Sequence, residues 1–162
     1  MRDHLESVNP PPCGGGTWRY RSDAPLAVPE GKRTKSKLEV QTKAIELAKY
    51  TITICSNEKH FPKRYRWCLT SKIVDAATEI VSDINTANSI YVTTKGDYEL
   101  RRKYQTNALA YTARMLGLMQ LAYAQFGIDG KRIRHWTQLV VDVRELLKMW
   151  RKSDRQRYKK YL

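Results

Sequence analysis

From residue 34 onward the apolar positions recur at helical spacing. Leu38, Ile45, Ala48, Ile52 and Cys55 fall on one face, separated by seven, three, four and three residues. Val40, Ala44, Leu47 and Ile54 widen that face to roughly half the cylinder, at about 100° per residue. Glu39, Thr42, Lys43, Glu46 and Lys49 hold the polar half. Packing on one side needs less apolar surface than this. The first helix is therefore expected to touch a bundle core and something else, such as another subunit. Pro62 is placed to open a second helix, because proline fits the first helical position. Tyr65, Leu69, Ile73, Ala76, Ile80, Ile84 and Ala87 then form its stripe. Ser82, Asn85, Thr86, Asn88 and Ser89 weaken helix propensity toward its end. Tyr91-Val92-Thr93-Thr94 and Lys95-Gly96 mark a break.

Asp97 is the expected cap of a third helix, with Glu99 in the first turn complementing the dipole. Tyr104, Ala108, Tyr111, Met115, Leu118, Ala122 and Phe126 make one stripe, and Leu109, Leu116 and Tyr123 a second face. A helix so apolar is expected to be buried on several sides. Gly127-Ile128-Asp129-Gly130 is a turn, with Gly127 suited to a helix C-terminus. In the fourth helix Ile133, Trp136, Leu139, Val140, Val143, Leu146, Leu147 and Trp150 share one side. Four long helices joined by short loops predict an all-α fold, an antiparallel up-down four-helix bundle over about residues 35–153.

The first 33 residues differ in kind. Five of the six prolines and four of the eight glycines lie there, including Gly14-Gly15-Gly16. This composition disfavours a helix and offers little to bury. Residues 1–33 are expected to be a flexible arm, and 34–162 the bundle with a basic C-terminal tail. Trp18 and Tyr20, flanked by Arg19 and Arg21, are incidental aromatics of that arm unless they dock or stack on a partner.

Thirty Lys and Arg against sixteen Asp and Glu, in 162 residues, leave a net charge of +14. A charge of that size points to a polyanion, nucleic acid before a membrane surface. No apolar run is long enough to span a bilayer, and Met1-Arg2-Asp3-His4-Leu5-Glu6 lacks the apolar run of a signal peptide. Cys13, Cys55 and Cys68, an odd count with no Cys-x-x-Cys, suit a reducing cytosol and not a disulfide scaffold or zinc ribbon.

Candidate chemistry is sparse. His4, His60 and His135 stand in no metal-ligand spacing, and no Gly-rich phosphate loop, Gly-x-Ser-x-Gly or His-Glu-x-x-His occurs. Cys55 and Cys68 fall on or beside apolar stripes and are expected to be small buried hydrophobes. Asp75, Glu79 and Asp83 repeat at spacing four, so like charges share a face and cationic partners are expected nearby. An enzyme site at an oligomer interface, using Asp75, Glu79 or Cys68, is disfavoured for want of a nucleophile–base pair. No catalytic residue, cofactor or metal is expected.

The basic clusters are the informative feature. Lys59, Lys63, Arg64, Arg66 and Lys72 occur with no acid between them, and Arg101-Arg102-Lys103 opens the third helix. Arg144, Lys148, Arg151 and Arg155 recur at four, three and four, which puts them on one edge of the fourth helix, with Lys152 alongside. Arg157, Lys159 and Lys160 continue into a tail interleaved with Tyr158 and Tyr161. Such an excess of one sign self-repels and favours a bound counter-anion, so Lys63, Arg64, Arg66, Arg101, Arg102, Lys103, Arg144, Lys148, Arg151, Lys152, Arg155, Arg157, Lys159 and Lys160 are the residues expected to bind nucleic acid or a partner. No motif that reads DNA or RNA bases is visible.

One segment goes beyond periodicity. Phe61-Pro62-Lys63, Arg66-Trp67 and Leu69-Thr70-Ser71-Lys72-Ile73 resemble the Phe-Pro-Lys, Arg-aromatic, Leu-Thr-Ser-Gln-Ile signature of a bacterial four-helix-bundle family. That family comprises the 23S rRNA intervening-sequence proteins and the Avd proteins of diversity-generating retroelements. Ala44-Ile45-Glu46-Leu47-Ala48, Asn107-Ala108-Leu109-Ala110-Tyr111 and Trp150-Arg151-Lys152-Ser153 sit where its first, third and fourth helices would, so the resemblance covers about residues 36–153. Intervening-sequence members usually carry acids where this chain has Arg64 and Tyr65, and their third helix is richer in acids. These departures, the positive balance and the N-terminal arm favour the Avd branch. The resemblance implies a homopentameric barrel in the cytoplasm of a bacterial or phage-infected cell. It further implies association with a reverse transcriptase and template-repeat RNA, in support of mutagenic cDNA synthesis, without catalysis by the chain itself. Phe61, Pro62 and Arg66 match the motif as structural positions. The alternative is a structural or rRNA-associated bundle with no polymerase partner.

Overall fold

A computed structural model describes residues 35–162, with side chains from Glu39 onward. The predicted 1–33 arm, with Trp18 and Tyr20, lies outside the described residues. Four helices follow one another: α1 (Lys35–Ser56), α2 (Ser71–Ser89), α3 (Lys95–Phe126) and α4 (Gly130–Arg157). Helix α1 packs on α2 and α4, and α3 packs on the same two, which is a square bundle. Cross-helix bonds give the directions. Gln41 near the start of α1 donates to Asn85 near the end of α2 at 2.9 Å, and Trp136 near the start of α4 donates to Thr51 at 2.9 Å. Neighbours are therefore antiparallel, as the short loops predict. The described residues contain no strand, and none of their helices is long and apolar enough to cross a membrane.

The core is built from Val40, Ala44, Leu47 and Ile54 of α1, Ile73, Ala76, Ile80 and Ile84 of α2, Met115 and Met119 of α3, and Trp136, Val140, Val143 and Leu147 of α4. Trp136 is fully enclosed, and Thr51 can sit beside it because its hydroxyl takes the indole N–H and donates to the Leu47 carbonyl at 2.8 Å. Thr51 thus occupies a core position that periodicity gave to Ile52. Ile45 and Ile52 are 47% and 46% exposed. They leave an apolar strip on the outside of α1, as its over-wide face implied. Helix α3 corrects its forecast too. Tyr104, Tyr111 and Leu118 are only half-buried, Tyr123 is exposed, and Gln105, Thr112 and Met119 face the core. Polar side chains can hold those core positions where they are hydrogen-bonded, as Thr112 is to the Leu109 carbonyl at 2.7 Å.

Pro62 does not begin α2. It precedes a 3₁₀ turn, Lys63–Tyr65, and a π-helical turn, Arg66–Thr70, which leads into α2. The widened turn keeps Arg66, Trp67 and Cys68 outside while Leu69 and Ile73 enter the core. Phe61, the first residue of the resembling motif, is buried between the rings of Phe126 and Trp136, at 5.4 and 6.2 Å. Gly127 ends α3 as expected, at φ 60°, in the left-handed region that a side chain would strain.

The cap of α3 is Thr94, not Asp97. Thr94 Oγ1 accepts from the Asp97 N–H at 3.1 Å, and the Asp97 carboxylate accepts from the Thr94 N–H at 2.9 Å, a capping box. The Thr93 hydroxyl, then the Thr94 N–H, hold the Asp97 carboxyl down to about 2. A depressed folded pKa gives stability that is present above the ordinary aspartate range and lost as pH falls through about 2. Thr94→Ala should cost about 1 kcal/mol in urea unfolding near neutral pH. The stability gap between wild type and Asp97→Asn should close between about pH 4 and pH 2. A gap that persists in acid would rule this cap out as its source.

Candidate polyanion-binding site

Arg101 and Arg102 are neighbours on α3 with opposite roles. Arg101 is buried, 6% exposed, and its Nε donates to Asp154 Oδ2 at 2.7 Å. Its Nη2 reaches Asp154 Oδ1 at 3.4 Å, and its Nη1 donates to the Ile90 carbonyl at 3.1 Å. Gln105 Nε2 adds a third donor to Asp154, at 2.7 Å, and the Trp150 ring lies 5.0 Å from the guanidinium. Two enclosed charges persist only when paired this closely. Asp154 therefore clamps α3 to α4 near one end of the bundle. The expectation that Arg101 contacts nucleic acid is corrected, because the side chain is buried and bonded inside the protein.

Arg102, turned by about 100° along the helix, emerges in the groove between α3 and α4. Its Nη1 donates to the Arg151 carbonyl at 3.3 Å. With Lys148, Arg151, Lys152 and Arg155 it lines a cleft of about 290 Å³ whose described walls contain no acid. Lys148 reaches Glu145 outside the cleft at 2.7 Å, but both are half exposed, where such a pair contributes little. Arg151 is half-buried and its Nε is enclosed with no partner among the described residues. Burial, then the charge of Arg102, push the Arg151 guanidinium below its ordinary value, and Tyr98 opposes them. Like charges are thus held together, and an anion would relieve them. Arginine forks match the oxygens of phosphate with paired hydrogen bonds.

The other predicted residues are spread more widely. Arg144 continues the α4 edge beyond Lys148 and is half-buried. Lys103 lies across Arg102, in a neighbouring cleft. Arg157 turns toward α1, where it lines a separate cavity with Glu39. Lys159 and Lys160 are exposed in a closing 3₁₀ turn, and Lys160 lies 4.7 Å from the Tyr161 ring centre.

Lys63, Arg64 and Arg66 sit at the opposite end of the bundle, where Gln125 of α3 donates to Tyr65 at 3.3 Å. From residue 102 to 125 the helix rises roughly 35 Å. The basic clusters therefore form two separate surfaces, because the antiparallel path carries α2's start away from α3's start. Lys63 pairs with Glu58 at 3.0 Å, Arg64 covers Tyr65 at 4.9 Å, and Trp67 beside them is 83% exposed.

Asp75 and Glu79 are exposed and Asp83 is buried, and the described residues give none of them an ion pair, against expectation. Burial, then Glu79, push the Asp83 carboxyl above the usual range. Cys55 is buried and its thiol is pushed up to about 12, which makes it inert. Cys68 is exposed, contrary to expectation, because the π turn rotates it outward. Asp154, Gln105 and Tyr98 have structural parts to play that periodicity missed. The available signal was Asp154 itself, an isolated acid between Arg151, Lys152 and Arg155. No family model, curated protein or solved structure matches the chain.

Proposed function

We propose that the chain is a non-enzymatic accessory subunit that binds RNA, together with a reverse transcriptase, at the α3–α4 end of the bundle. The observation that carries the polyanion part is the five-cation cleft of Arg102, Lys148, Arg151, Lys152 and Arg155. It supplies charge and hydrogen-bond donors, and no carboxylate or imidazole to move a proton. The nature of the polyanion and the polymerase comes from the resemblance to the Avd proteins. The homo-oligomer comes from the resemblance too, and Ile45 and Ile52, half exposed and seven residues apart on α1, are the apolar positions that it would cover. The resemblance sets the number of subunits at five. Each copy brings the same cleft, so a ring repeats the field about its axis. Co-expression of the tagged chain with the reverse transcriptase and template-repeat RNA should yield a complex holding all three at low salt. Retention of RNA without the polymerase would favour the rRNA-associated bundle instead. Retention of neither would reject both.

A further inference from the structure

Arg102 also lines a second cleft. Its volume is about 510 Å³, and its walls include Tyr98, Glu99, Lys103, Asn107 and Tyr161. That volume lies within the range of small-molecule sites, about 300–1,000 Å³. The aromatic wall is fixed in place. Tyr161 stacks on Tyr158 at 6.5 Å and 29°, and its hydroxyl donates to the Thr93 carbonyl. Tyr158 in turn meets Tyr98 at 5.9 Å. The closing 3₁₀ turn is thereby pinned over the start of α3. Glu99 faces Lys95 at 4.0 Å, which offsets the one acidic side chain of this wall. Tyr98 is 5% exposed, yet its phenol oxygen has no partner among the described residues. The Arg151 Nε of the cationic cleft is enclosed and unpartnered too. The two clefts adjoin, one with an aromatic wall and one cationic, and the buried Tyr98 and half-buried Arg151 each line one of them. Arg102 is common to both.

We infer that the two clefts form one site for single-stranded nucleic acid. A base lies against Tyr161 in place of the Lys160 ammonium, with Asn107 at its polar edge, and the adjoining phosphates lie among Arg102, Lys148, Arg151, Lys152 and Arg155. This rests on the polyanion reading of the cationic cleft and adds the form of the ligand. Charge alone takes duplex, single strand and polyphosphate alike. A stacking wall requires a base free of its own stack, which only a single strand presents readily.

The test compares three probes at one salt concentration: a short oligouridylate, an RNA duplex of equal length and inorganic polyphosphate. Oligouridylate should bind about tenfold tighter than the duplex. Tyr161→Ala should erase that preference and leave polyphosphate affinity unchanged. Equal binding of all three, unaltered by Tyr161→Ala, would overturn the inference and leave the polyanion reading standing. Binding of none would overturn both. If Tyr161→Ala weakens polyphosphate as well, the ring serves the fold, and the stacking role is rejected. If that variant loses its C-terminal turn, Asn107→Ala decides, since it leaves the tyrosines of that turn in place. A severalfold loss on oligouridylate alone supports the site, and no change overturns it.

Discussion

Asp154→Ala should cost about 3–5 kcal/mol of folding stability, because it leaves Arg101 buried without its counter-charge. Arg101 would keep only the Ile90 carbonyl, at 3.1 Å, and Gln105 would lose the acceptor it holds at 2.7 Å. In a chain of this size the loss corresponds to a melting temperature lower by about 10 °C or more. The penalty comes from the stranded charge and not from the net worth of the pair. Replacing Arg101, Gln105 and Asp154 together with Met, Leu and Leu should therefore be much milder than the single change. Thermal unfolding followed by circular dichroism compares the two. A single variant within about 1 kcal/mol of wild type would show that the clamp does not hold α3 to α4.

The double charge reversal Arg151→Glu with Arg155→Glu should weaken RNA binding by at least about a hundredfold. Two charge-assisted contacts at about 1.5–3 kcal/mol each account for that loss. Stability should change little. Arg155 is exposed and Arg151 half-buried, and Arg102 bonds the backbone carbonyl of residue 151, which the substitution keeps. The two variants thus separate the clamp from the cleft: one melts the bundle, the other empties it of its ligand. Anisotropy with labelled RNA reads the second effect. Wild-type affinity in this variant would reject the surface. Loss of binding only together with loss of the oligomer would mean these cations serve assembly, with Asp75 and Glu79 as their natural counterparts.

The order of helices and loops was legible because each stripe repeats near 3.6 residues and each break carries a turn residue, as at Gly127. The α4 edge was legible for the same reason. Lys148, Arg151 and Arg155 share a face by spacing alone, and they share the cleft in the folded chain. What periodicity could not supply is how one helix meets another. Arg101 and Arg102 look alike in sequence, and only the approach of Asp154, from another helix, decides which is buried. Nor could spacing before α2 show that Arg66 lies far from Arg102, since that follows from the fold's up-down path. The exposure of Cys68 and the late start of α2 depend on a π turn, and a stripe analysed at one fixed period cannot reveal a change of period.

Affinity of the intact chain for a short single-stranded RNA, measured at rising salt, tests the assignment of the cleft most directly. If a strand neutralises the five cations that line it, affinity should fall roughly a hundredfold between about 50 and 200 mM salt, along a straight line in the two logarithms. Any binding that survives in the Arg151→Glu, Arg155→Glu variant should show a shallower line. Affinity that ignores salt, or an unchanged slope in the variant, would contradict it.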